Sequence, residues 1–321
     1  MNTWFLRREE CPVCASSQFR TIYQCQYDKS PLKEYLIDFY SPQGMVEFDY
    51  LEGASYVLCD CDACGLIFQR DIPNDHLMER LYNHWIDPKK TFKKHLDKDG
   101  NLVQDGLEYF SVYAQEIMQF ITYLGKNPSS LNFCDFGMGW GEWALMAKAF
   151  GCNSYGLELS NEKIEFAKLN GVNIINWDEI SQYRFDFINT EQSFEHIPEP
   201  LKTLRHLSSG LKPDGILKIS VPYAATSDID RSLKIMDWKS PRNSKNSLMF
   251  VQPLEHINFF RRRTLLKLAS QAGLEEVLIP TRIQYQYTTD FGEAKKIAKN
   301  ILRPLYRNIL KKGNYIFLRK A

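Results

Sequence analysis

The sequence predicts an α/β fold in which helices flank a doubly wound, mostly parallel sheet of seven strands. The first observation is a strand, a glycine turn, a helix and a second strand in succession within residues 131–160. The second is that apolar runs of strand length alternate with helical patterns as far as residue 280. The third is that acidic residues end the first two strands, at the edge where open sheets bind ligands.

The turn after the first of these strands has the sequence DFGMGWG over residues 135–141. Its glycines allow positive φ and the close approach of a ligand to the backbone. The third glycine comes one residue too early for the dinucleotide fingerprint, and no lysine follows to form a phosphate-binding P-loop. Glu158 ends the next strand and supplies a carboxylate that would accept two O–H bonds from a vicinal diol. The alternative is a structural turn in another doubly wound protein.

The chain has 321 residues and a net charge of +1, and its pI is about 7.5. This length suggests a main domain with additions. The balanced charge argues against a nucleic-acid partner. No apolar run follows a basic start, and no run is long enough to span a bilayer. We therefore expect a soluble, cytoplasmic protein.

Two C-x-x-C pairs, Cys11 with Cys14 and Cys61 with Cys64, predict a structural zinc site. Four thiolates close the tetrahedral coordination shell and leave no position for a catalytic water. Cys59 is an alternative to Cys61, but alternation along the sequence places Cys59 in a strand and favours Cys61. The competing interpretation is four reduced cysteines without metal. We assign residues 1–73 to a zinc-binding N-terminal module.

Residues 74–105 are polar and predict a short helix over 74–85 followed by a linker. A helix over 107–124 ends at the GKNP sequence and opens the main domain, residues 106–321. Two insertions interrupt this domain. Residues 223–253 lack a clear period and are a candidate lid over the active site, whereas residues 281–313 contain a basic amphipathic run, 294–312, that would contact a membrane surface or a partner.

Three stretches of the main domain resemble the class I S-adenosylmethionine (AdoMet) methyltransferases. The turn at 135–141 is similar to their motif I, D/E-x-G-x-G-x-G; EHIPEP at 195–200 and LKPDG at 211–215 match family stretches in the same order. The resemblance implies a Rossmann-like methyltransferase domain with AdoMet as cofactor. The cofactor-binding residues that it implies are Asp135, Phe136, Gly137, Gly139, Gly141, Glu158, Leu159, Trp177, Asp178, Thr190 and Glu191.

Within that set, the resemblance assigns the ribose hydroxyls to Glu158 and the adenine to Trp177 and Asp178. The alternative for the last two is a helix N-cap at Asp178 beside a core tryptophan. Catalysis requires a base if the acceptor is a hydroxyl, and none if it is a neutral amine. We expect His256 to be that base, with His196 as its orienting or substrate-binding partner and Glu195 beside them. Structural, hydrogen-bonded histidines are the alternative.

The N-terminal cysteine pairs resemble the zinc-bearing methyltransferases that act on nucleotide-linked deoxysugars. Those carbon methyltransferases carry a further C-terminal domain, and this sequence departs from them there. We therefore expect a small-molecule acceptor, a sugar, nucleotide sugar or glycan, that is methylated on oxygen or nitrogen. Two alternatives are an RNA methyltransferase with a zinc module and a catalytically inactive AdoMet-fold partner protein. The absence of an Asn-Pro-Pro-aromatic motif disfavours the first, and the retained glycines and Glu158 disfavour the second.

Overall fold

The structure is a computed structural model that describes residues 3–42, 44–86, 104–222, 226–241, 244–287, 293–310 and 315–321. The expected linker lies mostly outside the described residues, as do parts of both insertions. Among the helices that are described, none is both long and apolar enough to cross a membrane.

The described strands, in chain order, are β1 Phe5–Arg7, β2 Phe19–Gln26, β3 Ser55–Cys61, β4 Ile67–Gln69, β5 Asp71–Pro73, β6 Asn132–Phe136, β7 Asn153–Leu157, β8 Asn173–Ile174, β9 Phe185–Glu191, β10 Leu211–Ser220, β11 Asn258–Phe259, β12 Leu274–Val277 and β13 Tyr315–Lys320. The α-helices are α1 Leu32–Tyr40, α2 Asp75–Arg80, α3 Gln104–Leu124, α4 Glu142–Ala149, α5 Asn161–Leu169, α6 Pro200–Ser209, α7 Thr226–Ile235, α8 Arg262–Gln271, α9 Thr281–Gln286 and α10 Ala294–Pro304. One-turn π-helices, Leu81–Trp85 and Leu305–Ile309, extend α2 and α10, and short 3₁₀ turns include Trp177–Gln182 and Met249–Val251.

Seven strands form one sheet in the order β12-β13-β10-β9-β6-β7-β8. The five strands from β10 to β8 run parallel, and β13 pairs antiparallel with both β10 and β12. The strand order reverses beside β6, so β6, β7 and β9 end at the switch point where doubly wound sheets bind ligands. The predicted architecture, a doubly wound, mostly parallel sheet of seven strands, is confirmed.

The chain divides into two compact units. The first, here the cysteine unit, comprises Met1–Lys94, Glu195–Leu201 and Pro222–Leu268; the second, the sheet unit, comprises His95–Phe194, Lys202–Val221 and Ala269–Ala321. In the sheet unit, an aromatic cluster fills the space between α3, α4 and the sheet. Its central members are Phe120, Phe133, Trp143, Phe187 and Phe317.

The division differs from the expected linear order of module, linker and domain. The cysteine unit contains a four-stranded antiparallel sheet, β11-β4-β3-β2, whose edge strand β11 comes from residues 258–259. Its core combines N-terminal side chains such as Tyr56 and Trp85 with Trp238, Phe250 and Leu254. Apolar side chains from the described part of residues 223–253 therefore belong to this core, where they pack with N-terminal side chains that are distant in the sequence.

The described part of the second insertion forms α9, α10 and the π turn that follows α10. Arg303 and Arg307 are half-buried, while Lys295 and Lys299 are exposed. The apolar side chains of this helix face outward instead of inward. The exposed members, here called the apolar stripe, are Ile301, Leu302, Leu305, Tyr306, Ile309 and Leu310.

Candidate functional site

The glycine turn joins β6 to α4 in the sheet unit. Gly137, Gly139 and Gly141 have φ values of +67°, +57° and +81°, which strain any other L-residue. A Cβ at Gly137 would lie 2.6 Å from Ser193 Oγ, whereas a Cβ at Gly139 would meet no atom within 4 Å. The turn therefore leaves open space above Gly139, as a site that accommodates a ligand against the backbone requires.

Glu158 ends β7 and turns its carboxylate toward the glycine turn. Its Oε2 accepts the N–H of Gly139 at 2.9 Å, and its Oε1 accepts the N–H groups of Leu159 at 2.8 Å and Ser160 at 3.0 Å. A carboxylate offers about four lone-pair positions, so three backbone bonds leave room for at least one further O–H donor. These bonds also fix the carboxylate beside the open space above Gly139.

Apolar surface lies at the same edge of the sheet. Leu159 is 98% exposed and Trp177 is 38% exposed. The Trp177 ring lies 5.7 Å from that of Phe136 and 4.2 Å from that of His206, which also contacts the Trp177 carbonyl. Asp178 is exposed in the first turn of a 3₁₀ helix, and the alternative N-cap role is wrong because Asn176 caps that helix.

Asp135 is 3% exposed at the end of β6. Burial raises its pKa to about 7, and the Asn189 amide, which donates to its Oδ1 at 2.8 Å, acts in the opposite direction. Asp135 is therefore a buried carboxyl group at the start of the turn, partly protonated near neutral pH and bonded to the Asn189 amide.

Thr190 and Glu191 end β9 and are held by the sheet. The buried hydroxyl of Thr190 donates to the Lys218 carbonyl at 2.9 Å. The Lys218 ammonium, 4% exposed, donates to Glu191 at 2.6 Å and to Glu116 at 2.8 Å. Burial opposes its charge, but the two carboxylates outweigh burial and raise the pKa of Lys218. The cofactor roles of Thr190 and Glu191 remain predictions.

Two side chains of this network were not predicted from the sequence. Asn189 is a fully buried amide within β9, and Lys218 is a charge between two apolar residues of β10. A polar residue in a buried strand was the available signal, since such groups are kept only where they find partners. Met138 packs against the face of Gly156, where a Cβ would lie 2.1 Å from its sulfur. Gly156 is therefore required for the shape of the turn.

The four predicted zinc ligands come together in the cysteine unit. The sulfurs of Cys11, Cys14, Cys61 and Cys64 all lie within 4.8 Å of one another. The Cys11–Cys64 and Cys14–Cys61 pairs are 3.6 and 3.5 Å apart, with no disulfide. Two thiolates on one tetrahedral zinc would be about 3.8 Å apart, given Zn–S bonds of about 2.3 Å.

The two C-x-x-C turns, here called the cysteine knuckles, share the same backbone hydrogen bond. Ala15, with φ +54°, donates its N–H to the Cys11 carbonyl, and Gly65, with φ +73°, donates to the Cys61 carbonyl. These tight turns bring each pair of sulfurs to one side. Cys59 lies apart from the cluster, with its sulfur 3.9 Å from Thr21 Oγ1. The four-cysteine cluster thus fits a zinc ion with Cys61, and not Cys59, as the fourth ligand.

Glu195, His196 and His256 also come together, and all three belong to the cysteine unit. His196 Nδ1 lies 2.9 Å from the Glu255 carbonyl, with the Tyr82 hydroxyl 3.2 Å away, and His256 Nδ1 lies 2.6 Å from the Met249 carbonyl. Burial lowers the pKa of His196 to about 4. Burial, followed by the neighbouring His196, lowers the pKa of His256 to about 3. Both rings are therefore neutral at physiological pH.

Comparison with known proteins identifies the family. A profile of the family described as "Methyltransferase domain" matches residues 109–279, which is 171 of 321 residues. The chain belongs to the methyltransferase domain family. Within this methyltransferase, the match covers six of the seven strands of the sheet, all but β13, together with the glycine turn and the EHIPEP stretch. The prediction of a methyltransferase domain is confirmed over these residues.

This methyltransferase is 28% identical over 174 residues to the ubiquinone biosynthesis O-methyltransferase of Haemophilus ducreyi. That alignment covers 49% of the chain and 63% of the relative's length. The plantazolicin methyltransferase BpumL, solved with SAH, has a TM-score of 0.45 at 11% identity, over 73% of this chain and 89% of its own. Magnesium protoporphyrin IX methyltransferase of Synechocystis PCC 6803, also solved with SAH, has a TM-score of 0.43 at 15% identity, over 65% and 95%.

Proposed function

We propose that this methyltransferase binds AdoMet in the glycine turn of the sheet unit. The observation that carries the proposal is Glu158: its carboxylate is fixed by three backbone N–H groups beside the open space above Gly139. There it accepts an O–H from the ribose. Leu159 and Trp177 supply apolar faces for the adenine, and exposed Asp178 accepts from its amino group. AdoMet lacks phosphates, which suits a turn with no lysine.

The acceptor that we propose is a hydroxyl or amine of a small molecule, most favourably a sugar-containing one. Support for a hydroxyl comes from the name of the H. ducreyi relative, an O-methyltransferase. Support for a sugar comes from the cysteine pairs, which resemble those of the zinc-bearing sugar methyltransferases. A zinc ion on the four cysteines has a structural role, because four thiolates leave no open coordination position. An RNA acceptor and an inactive partner protein remain the alternatives.

On the acceptor side, we propose a role for Glu195, His196 and His256. Glu195 follows β9 by four residues in the sequence, and β9 ends at the ligand-binding edge of its sheet. In an in-line displacement, the acceptor oxygen loses its proton and bonds the methyl carbon, while the sulfur keeps the electron pair of the broken bond. The two neutral histidines are in the protonation state that a base requires. Their low pKa values, about 4 for His196 and about 3 for His256, place the loss of that state well below pH 6.5.

A methyl-release assay tests the function. Full-length protein is incubated with labelled AdoMet and, separately, with a panel of nucleotide sugars, dihydroxylated aromatic compounds and tRNA. We expect transfer of the methyl group to a hydroxylated small molecule. The His256→Ala variant should lose turnover and keep its affinity for AdoMet. Transfer to tRNA would favour the RNA alternative. AdoMet binding without transfer to any acceptor class would favour the inactive partner.

We also propose that the apolar stripe of α10 contacts an anionic membrane surface. The stripe residues recur at i, i+1, i+4 and i+5 and thus share one helix face. Exposed Lys295 and Lys299 precede them on the same helix and provide the complementary charge. A cytoplasmic location, inferred above from the sequence, is compatible with such a peripheral contact.

A further inference from the structure

A second metal centre is the inference that the cysteine unit carries beyond its four cysteines. One ligand atom from each of Glu195, His196 and His256 lies within 4.8 Å of the others. His196 Nε2 is 3.8 Å from Glu195 Oε1, and the two imidazole centroids are 5.1 Å apart. The 3.8 Å separation is one expected for two ligands of one ion, since bonds of about 2.0–2.2 Å to nitrogen and oxygen place neighbouring ligand atoms about 3–4 Å apart.

The tautomers of both histidines are set by the backbone. A carbonyl oxygen only accepts, so the Glu255 and Met249 carbonyls hold the proton on Nδ1 of His196 and His256. In each neutral ring, this leaves the lone pair on Nε2. A histidine that ligates a metal typically donates its other ring N–H to such a carbonyl, which orients the ring and increases its basicity.

The segment that supplies these carbonyls is itself held firmly. Gln69 of β4 donates its side-chain amide to the Gln252 carbonyl at 3.0 Å and to the His256 carbonyl at 3.1 Å. Tyr40 donates to the Glu255 carboxylate at 2.7 Å, as does Gln252. Between them, buried Leu254 has a φ of +73°, an unfavourable conformation for leucine that a tightly constrained, functional segment can retain.

We propose that Glu195, His196 and His256 bind a divalent transition-metal ion, such as Zn²⁺, Mn²⁺ or Fe²⁺. Two imidazoles and one carboxylate suit these ions and are too few to close the coordination shell. Glu195 is 1% exposed, while both histidines are partly accessible, so the open positions face the accessible side. The centre thus differs from the four-cysteine cluster, whose ligands saturate the ion.

The open positions suit an acceptor hydroxyl, a use that rests on the function proposed above. An oxygen bound to a divalent ion loses its proton more readily, and the proton passes to solvent. The oxygen lone pair then forms the bond to the methyl carbon as the carbon–sulfur bond breaks, with its electron pair left on sulfur. With the ion bound, Nε2 of each histidine is a ligand atom, so the ion and solvent replace the general base of the function proposed above.

Metal analysis of the full-length protein tests the site without acceptor or AdoMet. After dialysis against excess Zn²⁺ or Mn²⁺ and removal of free ion, the wild type is expected to bind one ion beyond that held by the four cysteines. Glu195→Gln and His256→Ala are expected to lower the affinity for this second ion at least tenfold. The cysteine-bound zinc should remain in both variants, which shows that the unit is folded. His84→Ala, an exposed histidine of the same unit, is the matched control and should bind both ions.

A wild type that binds only the cysteine-held ion would overturn the proposal. So would variants that retain the second ion with unchanged affinity. A failure of this kind leaves AdoMet binding untouched, whereas a failure of the proposed function would appear as absent AdoMet binding in a protein that still holds two ions.

Discussion

At the scale of single residues, Glu158 carries the ribose assignment. Replacement by alanine removes the charged acceptor and also the three backbone bonds that fix the turn. We expect Glu158→Ala to weaken AdoMet binding by about tenfold or more, because a hydrogen bond to a charged group contributes about 1.5–3 kcal/mol. Isothermal titration calorimetry measures this effect. Glu165→Ala, an exposed carboxylate on the following helix, is the control and should bind normally; equal affinity in all three proteins would refute the ribose assignment.

Asp135 predicts a specific pH dependence of stability. Its folded-state pKa of about 7 is above the ordinary value of 3.8. The folded protein therefore keeps a proton that the unfolded chain releases at lower pH. The contribution of Asp135 to the free energy of unfolding is fully present below about pH 4, and it is lost as the pH rises through about 7. Since one pKa unit corresponds to about 1.4 kcal/mol, the full effect is on the order of 4 kcal/mol.

A comparison of the wild type with Asp135→Asn, both without ligand, isolates the pH-dependent contribution of Asp135 to stability. The asparagine keeps the acceptor for the Asn189 amide and cannot ionise. Thermal denaturation at pH 5 and pH 8 should therefore show the variant gaining stability over the wild type at the higher pH. A constant difference between the two proteins would show that Asp135 does not carry the charge change.

At the scale of elements, the two cysteine knuckles predict one zinc per chain at the four-cysteine cluster. Substitution of Cys61 and Cys64 by serine should abolish this zinc and destabilise the cysteine unit, while the sheet unit stays folded. Metal analysis together with AdoMet calorimetry checks both halves of the expectation. Cys25→Ser with Cys59→Ser is the matched control, because neither sulfur belongs to the cluster. Retention of the cluster zinc in the first variant would disprove the ligand set.

The apolar stripe predicts membrane binding by α10 and the π turn that follows it. Leu305→Glu with Ile309→Glu places charge on two exposed positions and should reduce co-sedimentation with vesicles containing anionic phospholipid. Val112→Glu, an exposed apolar position on α3, should leave co-sedimentation unchanged. A different outcome would be a wild type that does not bind vesicles and is a dimer in light scattering, with the double variant a monomer. In that case a second copy of the chain covers the stripe.

Local sequence was sufficient for elements whose neighbours are close in the chain. The strands of the parallel sheet are short apolar runs, and the helix over 107–124 and the two knuckles have clear stop or spacing signals. Residues 223–253 gave no period because their apolar side chains, such as Trp238 and Phe250, fill a core whose other half lies some 200 residues earlier. The link from Lys218 to Glu116 likewise joins residues distant in sequence, so no local pattern predicts it.

At the scale of the whole molecule, two compact units divide the predicted chemistry. The sheet unit carries the glycine turn and Glu158, and the cysteine unit carries the four cysteines together with Glu195, His196 and His256. The chain passes from one unit to the other between Phe194 and Glu195, at the EHIPEP stretch. The resemblance assigned that stretch to the methyltransferase domain. Sequence order alone does not reveal which core a short segment joins, so this division could not be predicted.

The central claim is that the glycine turn accommodates AdoMet rather than a dinucleotide or a nucleoside triphosphate. Calorimetric titration of the full-length protein with AdoMet, NAD⁺ and ATP in parallel tests it directly. We predict that AdoMet binds at one molecule per chain and that neither of the other two binds, because no lysine follows the glycines and the glycine spacing is not that of the dinucleotide fingerprint. Absence of AdoMet binding, or saturable binding of NAD⁺ or ATP in its place, would contradict this assignment of the glycine turn.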